Sequence, residues 1–251
     1  MKTLRIIFLF PLALFRLLLV LFMSGFVVAV GGIWLKLSGF SKPLQQWVMR
    51  TWGKGIVFFL GIKIERNEIP AISNFILMPN HRGYLDIFII ASLTPAAMVA
   101  KAEIKNWPFA KSGIKITNSI LVDRSEIKSK LNTMSEIEAS VKKGIPVMLF
   151  PEGTSYKGPL TQPFKNGSFK IAADTKIPVI PMAIHYRDVD DAWVGNDTLL
   201  GHFFRQMGKP VTKVYIKYGI PVSFSDYKQI QQQTREQIDM MLQQIIDSNR
   251  N

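Results

Sequence analysis

The sequence predicts an α/β fold with a mostly parallel central sheet flanked by helices and an N-terminal apolar helical membrane anchor. Short apolar runs alternate with segments of helical periodicity, which is typical of a parallel sheet covered by helices. Residues 17–35 contain no charge, so the apolar residues are concentrated near the N-terminus. The chain has 251 residues, of which 48% are hydrophobic, and this composition excludes a disordered protein.

The N-terminal apolar segment is long enough to enter a membrane. A helix over residues 17–35 would be roughly 28 Å long, close to the thickness of a bilayer core. A shorter apolar run at 6–15 contains Pro11, so the N-terminal segment could form two helices rather than one. A single span and a hairpin within one leaflet both fit this pattern. A buried core helix and a cleaved signal peptide are the alternatives.

The rest of the chain is predicted to be one domain. We expect the membrane anchor in residues 1–40, a connecting helix at the membrane interface in residues 41–60, and the α/β domain in residues 61–251. Predicted strands lie at 62–64, 75–78, 98–100, 120–122, 147–150, 179–184 and 214–218. Predicted helices lie at 87–93, 128–143 and 169–175, and a last helix follows a capping site at Ser225 and Asp226.

Charge and cysteine content restrict the function. The net charge of +13 indicates an anionic partner, which a membrane leaflet, a phosphate-bearing substrate or a nucleic acid would provide. The chain has no cysteine, which excludes thiol catalysis and cysteine-ligated metals. His185 and His202 lack helical metal-ligand spacing, so no metal is predicted. The basic residues are scattered and no nucleic-acid-binding motif occurs, so no nucleic acid is predicted.

His81 is the histidine whose neighbours indicate chemistry. It follows a predicted strand and precedes an apolar helix, with Asp86 five residues further on. Five residues span about 140° of a regular helix, so His81 and Asp86 can meet only if the chain turns at Gly83. Asp86 would then accept from one imidazole nitrogen and leave the other free as a general base. An N-capping aspartate beside an unrelated surface histidine is the alternative.

Two further loops carry residues suited to binding an anion. Glu152, Gly153 and Thr154 follow a predicted strand, and glycine there lets the backbone approach a ligand while the threonine supplies a hydroxyl. Arg124 follows another predicted strand, where a guanidinium can hold a phosphate through two hydrogen bonds. Each feature alone is also compatible with an ordinary turn or a surface arginine.

Taken in order, these motifs resemble those of the PlsC-type glycerolipid acyltransferases. That family combines N-H-x4-D, a strand ending in arginine, F-P-E-G-T and a strand framed by prolines. Here these motifs lie at 80–86, 120–124, 150–154 and 178–181. Lys101 lies in a further segment, 99–103, that is similar to the family. The resemblance covers residues 56–222 and rests on the motifs jointly.

The resemblance implies a 1-acyl-sn-glycerol-3-phosphate acyltransferase of phospholipid biosynthesis. Such an enzyme transfers a fatty acyl group from acyl-CoA or acyl carrier protein to the free hydroxyl of lysophosphatidate and needs no cofactor. By resemblance, His81 oriented by Asp86 would deprotonate that hydroxyl. The residues that the resemblance assigns to the acceptor site are Arg124, Lys101, Glu152, Gly153 and Thr154.

One position departs from the family pattern. The family often continues E-G-T-R-S, whereas this chain has Ser155 in place of that arginine. We therefore expect a phosphate contact to be missing or to be replaced, with Lys157 as the candidate. An acyltransferase for a different lysolipid, lyso-ornithine lipid or another lysophospholipid, is the alternative function.

The implied setting is a membrane. We expect the catalytic domain to face the cytoplasm, at the inner membrane if the protein is bacterial, and to meet a phospholipid leaflet, a lysophospholipid acceptor and the acyl donor. A basic protein that binds membrane surfaces is the non-enzyme alternative, which charge alone supports. A serine hydrolase is not predicted, since the segment around Ser168 lacks the G-x-S-x-G pattern.

Overall fold

The computed structural model describes residues 2–123 and 127–249, so Arg124 lies outside the described residues. Within these ranges, helices and strands alternate as predicted. The helices are α1 (Lys2–Ser38), α2 (Lys42–Phe59), α3 (Leu85–Leu93), α4 (Ala110–Thr117), α5 (Ile127–Lys142), α6 (Gly167–Thr175), α7 (Leu199–Gln206) and α8 (Tyr227–Ser248). The strands are β1 (Ile62–Arg66), β2 (Ile76–Pro79), β3 (Ala97–Lys101), β4 (Ile120–Val122), β5 (Val147–Met148), β6 (Val179–Tyr186) and β7 (Thr212–Tyr218).

All strands of the described residues join one sheet, in the order β1, β7, β6, β2, β5, β3, β4. The five strands from β6 to β4 are mutually parallel, whereas β7 is antiparallel to β6 and pairs in parallel with β1. The mostly parallel sheet is thus confirmed. The carboxyl ends of β2 to β6 meet along one edge, the edge at which open α/β sheets bind ligands.

Helices cover both faces of the sheet and divide the core in two. Along β2, Leu77 faces one core while Ile76 and Met78 face the other, as alternation along a strand requires. The Leu77 core also takes residues from α1, α2, α3, α4 and α7, and the other core takes residues from α5, α6 and α8. Every residue of β2 is buried, which explains why its sequence is a continuous apolar run.

The N-terminal segment is one continuous helix rather than two. Leu9 and Phe10, on the N-terminal side of Pro11, pack against the end of α7: Phe10 stacks on Phe204, and Leu9 approaches so closely that a Cβ on Gly208 would lie 2.4 Å from its Cβ. These contacts hold the first turns in line with the rest of α1. Within α1, residues Leu9–Ser38 are long and apolar enough to cross a membrane.

Gly53 lowers the helix propensity of α2, yet α2 is continuous through it. A Cβ at this position would lie 2.3 Å from the backbone nitrogen of Ser92 in α3. Glycine therefore permits α2 and α3 to pack backbone against backbone, and tertiary packing outweighs local propensity. Two short helices, α4 and α7, were not predicted, because eight residues each give little periodic signal.

Candidate active site

The predicted histidine and aspartate meet at the carboxyl edge of the sheet. His81 follows β2, and Asp86 lies in the first turn of α3. The Nδ1 atom of His81 lies 2.8 Å from Oδ2 of Asp86, and the carboxylate is completely buried. The predicted turn occurs at Gly83, where a Cβ would lie 2.9 Å from the backbone nitrogen of Trp193, so a side chain is excluded there.

Asp86 receives hydrogen bonds on both oxygens. The backbone N–H groups of Arg82 and Gly83 donate to Oδ2 at 2.6 and 2.9 Å, and the hydroxyl of Tyr186 donates to Oδ1 at 2.6 Å. Burial and the adjacent Asp86 raise the pKa of Tyr186 well above its usual value, so its phenol keeps the proton that it donates. The carboxylate is thereby fixed in orientation without exposure to water.

This arrangement defines the tautomer of His81. Because the Asp86 carboxylate accepts, Nδ1 carries the proton and Nε2 presents a lone pair. The imidazole stacks on Phe150, with ring centroids 3.8 Å apart and an angle of 20° between the planes. Its side chain is 19% exposed, and Nε2 has no hydrogen-bond partner among the described residues. This geometry is the one that the predicted general base requires.

Glu152 binds the backbone of His81 through a side-chain oxygen. Its Oε1 accepts from the backbone N–H of His81 at 3.0 Å and its Oε2 from that of Gln162 at 3.2 Å. Burial raises the pKa of Glu152, and the two backbone hydrogen bonds act in the opposite direction. With both oxygens engaged by backbone, Glu152 links the loop after β5 to the catalytic loop after β2.

Three other predicted site residues, Gly153, Thr154 and Lys101, lie at or after the carboxyl ends of strands that meet at the same edge. Gly153 has a φ of +73°, a conformation that glycine favours, and Thr154 is exposed beside it. Lys101 is exposed at the end of β3 and is in register with Val122 of β4. Arg124, which comes two residues after Val122 in the sequence, lies outside the described part of the chain.

Arg82 is a site residue that sequence reasoning missed. Its guanidinium is buried and donates to the carbonyls of Tyr156, Gly158 and Pro159, at 2.8, 2.6 and 3.3 Å, and weakly to that of Ile184 at 3.4 Å. Arg82 therefore holds the loop after Thr154 against the turn that carries His81. Its partners lie 74 to 102 residues away, so the sequence offered no signal beyond its place next to His81.

Three polar residues near the site are engaged by other protein groups. Ser155 donates from its hydroxyl to the carbonyl of Trp193 at 2.6 Å. Lys157, the predicted replacement for the family's arginine, forms an exposed ion pair with Asp190. His202 lies between the Tyr84 hydroxyl and a backbone carbonyl, so both of its nitrogens serve packing.

Comparison with known proteins agrees with this geometry. The family model described as Acyltransferase matches residues 61–185. A lyso-ornithine lipid O-acyltransferase of Rhizobium meliloti is 25% identical over 76% of this chain and 70% of its own length. A 1-acyl-sn-glycerol-3-phosphate acyltransferase of Saccharomyces cerevisiae is 32% identical over 64% of this chain, which spans only 55% of that protein.

A solved structure matches the whole fold. The 1-acyl-sn-glycerophosphate acyltransferase PlsC from Thermotoga maritima superposes with a TM-score of 0.75 over 98% of both chains, at 22% identity. The matched segment 61–185 contains both His81 and Asp86, together with Glu152, Gly153 and Thr154. The chain therefore belongs to the PlsC-type acyltransferase family and is an O-acyltransferase.

Proposed function

We propose that the protein transfers a fatty acyl group from acyl-CoA or acyl carrier protein to the free hydroxyl of 1-acyl-sn-glycerol 3-phosphate. The observation that carries this proposal is the His81–Asp86 pair with an open Nε2, because acyl transfer to a hydroxyl requires a positioned base. The relatives named 1-acyl-sn-glycerol-3-phosphate acyltransferase, from Saccharomyces cerevisiae and Haemophilus influenzae among others, support lysophosphatidate as the acceptor.

The reaction needs no covalent enzyme intermediate. Nε2 of His81 takes the proton of the acceptor hydroxyl while the oxygen attacks the thioester carbonyl carbon. The carbon–sulfur bond then breaks, and the thiolate leaves with the proton returned by the imidazolium. Asp86 stabilises the transient imidazolium through its 2.8 Å contact to Nδ1, which places the aspartate in a positioning and electrostatic role.

We assign acceptor binding to two cationic residues. Lys101 is exposed at the end of β3, and Arg124 follows β4 in the sequence. Both are proposed to contact the acceptor phosphate, with Gly153 and Thr154 shaping the adjacent surface. Glu152 is proposed to act on the acceptor indirectly, since its oxygens are held by the backbone of His81 and Gln162.

A second acceptor is favoured by a specific observation. The relatives named lyso-ornithine lipid O-acyltransferase, from Rhizobium meliloti and Pseudomonas aeruginosa, are matched over 70% and 80% of their lengths. The family's usual arginine can donate two hydrogen bonds to a phosphate, and Ser155, whose hydroxyl donates to a backbone carbonyl, cannot replace it. A lyso-ornithine lipid, which carries a carboxylate instead of a phosphate monoester, is therefore the alternative acceptor.

The proposed place of action is the membrane surface. Apolar side chains on the outer face of α1 are exposed, among them Phe15, Leu18 and Phe22. We place this face in a phospholipid leaflet, with the catalytic domain on the cytoplasmic side, where both acyl donors occur. The net charge of +13 favours an anionic leaflet.

The test is turnover with defined lipids. Membranes containing the protein are incubated with labelled acyl-CoA or acyl carrier protein and with lysophosphatidate, lyso-ornithine lipid or lysophosphatidylcholine, and the products are identified. We expect phosphatidate, with the rate falling at least about 1,000-fold in His81→Ala. His202→Ala is the matched control, since His202 is engaged in packing. If only lyso-ornithine lipid is acylated, the second candidate is the acceptor. If His81→Ala keeps a tenth of the wild-type rate, His81 is not the base.

A further inference from the structure

Lys165 lies over the turn that contains Gly153. A Cβ built on Gly153 would be 2.7 Å from Nζ of Lys165 and 2.8 Å from its Cε, so the lysine side chain crosses the space that the glycine leaves open. The backbone N–H of Lys165 donates to the carbonyl of Pro151 at 2.9 Å, which fixes the lysine against the loop after β5. An ammonium group is thereby held beside Gly153, the residue that follows Glu152 in the loop.

The ammonium of Lys165 is available, whereas neighbouring groups are engaged. Within the described residues Lys165 has no ion-pair partner, and its side chain is exposed. Lys157 pairs with Asp190, and Ser155 donates its hydroxyl to a backbone carbonyl. Of these three polar residues after the turn, Lys165 alone presents an uncompensated positive charge.

We propose that Lys165 binds the anionic headgroup of the acceptor and supplies the cation that Ser155 lacks, a role that rests on the acyltransferase function proposed above. Glycine at position 153 permits this placement, because a Cβ there would lie 2.7 Å from the ammonium nitrogen and the lysine would have to shift. The ligand chemistry is a headgroup oxyanion, which a phosphate monoester and a carboxylate both provide.

A lysine in this role has a defined consequence for specificity. An ammonium is a compact point charge, whereas arginine offers a planar pair of donors that matches a phosphate. A site that uses Lys165 therefore discriminates less between a phosphate and a carboxylate than one that uses arginine at position 155.

The test compares Lys165→Met with Lys165→Arg, and with Lys170→Met as a matched control from an exposed lysine of α6. We expect Lys165→Met to raise the acceptor KM about tenfold or more for lysophosphatidate and for lyso-ornithine lipid while kcat changes less than about threefold. Lys165→Arg should restore the KM, and acylation of uncharged monoacylglycerol should be unaffected by either change.

A binding measurement separates this role from turnover. Purified His81→Ala protein in detergent is titrated calorimetrically with 1-hexanoylglycerol 3-phosphate, with and without Lys165→Met. If His81→Ala binds this lipid and the double variant does not, the result supports headgroup binding by Lys165, even if the wild-type protein turns over no acceptor. Unchanged affinity would overturn the proposal even if phosphatidate is formed. In the kinetic test, an equal rise in acceptor KM in Lys170→Met would also overturn it. A rise in KM found in Lys157→Met and absent from Lys165→Met would do the same.

Discussion

At the scale of single residues, two buried charges of opposite sign organise the catalytic loop. Asp86 collects donors from His81, Tyr186 and two backbone amides, and Arg82 engages four backbone carbonyls. A buried charge is tolerated only when hydrogen bonds replace the water it has lost. Each side chain therefore stabilises the loop only when all of its hydrogen bonds are formed. Asp86 contacts the His81 ring directly, whereas Arg82 acts on His81 through the loop that it anchors.

Arg82 provides a residue-scale prediction. Arg82→Lys replaces a fork of five donors by an ammonium that cannot reach four carbonyls from one position. We expect kcat to fall about tenfold or more, because the turn that carries His81 loses its support. The free energy of unfolding should fall by roughly 2–4 kcal/mol. Steady-state kinetics well below the unfolding temperature, together with thermal unfolding, measure both effects.

The control is an arginine on the same edge of the sheet. Arg187 is exposed directly after β6, so Arg187→Lys should change neither the rate nor the unfolding temperature measurably. A rise in acceptor KM at constant kcat in Arg82→Lys would contradict the positioning role, since it would place Arg82 in contact with substrate.

The catalytic pair was predictable and its supports were not. His81 and Asp86 are five residues apart on either side of a glycine, so local geometry alone restricts how they can meet. Tyr186 lies 100 residues from Asp86, and the register between β2 and β6 brings them together. Glu152 was assigned to the acceptor site by resemblance, and its two hydrogen bonds are to the backbone of His81 and of Gln162. Contacts between residues so far apart in the sequence depend on the order of the strands in the sheet, and no local sequence pattern predicts that order.

At the scale of elements, α1 is attached to the domain by a buried arginine. Arg16 is 6% exposed and donates to the carbonyls of Met207 and Lys209 at 2.6 Å and of Pro210 at 2.9 Å, in the segment between α7 and β7. Hydropathy alone treats Arg16 as an interruption of an apolar segment. In the structure, Arg16 donates to three carbonyls at and just after the C-terminal end of α7. The C-terminal end of a helix favours a cation.

The prediction at this scale concerns the attachment of α1. Arg16→Leu leaves one buried and two partly buried carbonyls without their donor, so we expect the free energy of unfolding to fall by about 2–4 kcal/mol. That loss corresponds to a fall in the unfolding temperature of roughly 5–10 °C for the detergent-solubilised protein. Arg50→Leu is the control, because Arg50 is exposed on α2 and should have little effect. An Arg16→Leu protein as stable as the wild type would mean that α1 leaves the domain when it enters the membrane.

At the scale of the whole molecule, the packing of α1 favours an arrangement within one leaflet over the single span that the sequence also allowed, although α1 is one continuous helix and not the predicted hairpin. One side of α1 packs on α2, α4 and α7, and Trp52 of α2 donates its indole N–H to Ser24 at 3.0 Å. The opposite side exposes large apolar residues at helical spacing, namely Phe15, Leu18, Phe22, Phe26, Ile33 and Leu37. Phe109 extends this surface beside Gly25. A helix bound to its domain along one side cannot also cross a bilayer, so α1 should lie within one leaflet.

This arrangement predicts the labelling of the two ends of α1. The chain has no cysteine, so Thr3→Cys and Ser38→Cys each introduce a single thiol, one near each end of a helix about 55 Å long. In sealed vesicles of one orientation, a membrane-impermeant maleimide should label both variants from the side that carries the catalytic domain. Ser248→Cys, at the end of α8, reports that side and serves as the reference. A spanning α1 would give the opposite pattern: one of its two ends would react only after the vesicles are opened with detergent, while Ser248→Cys would keep its original accessibility.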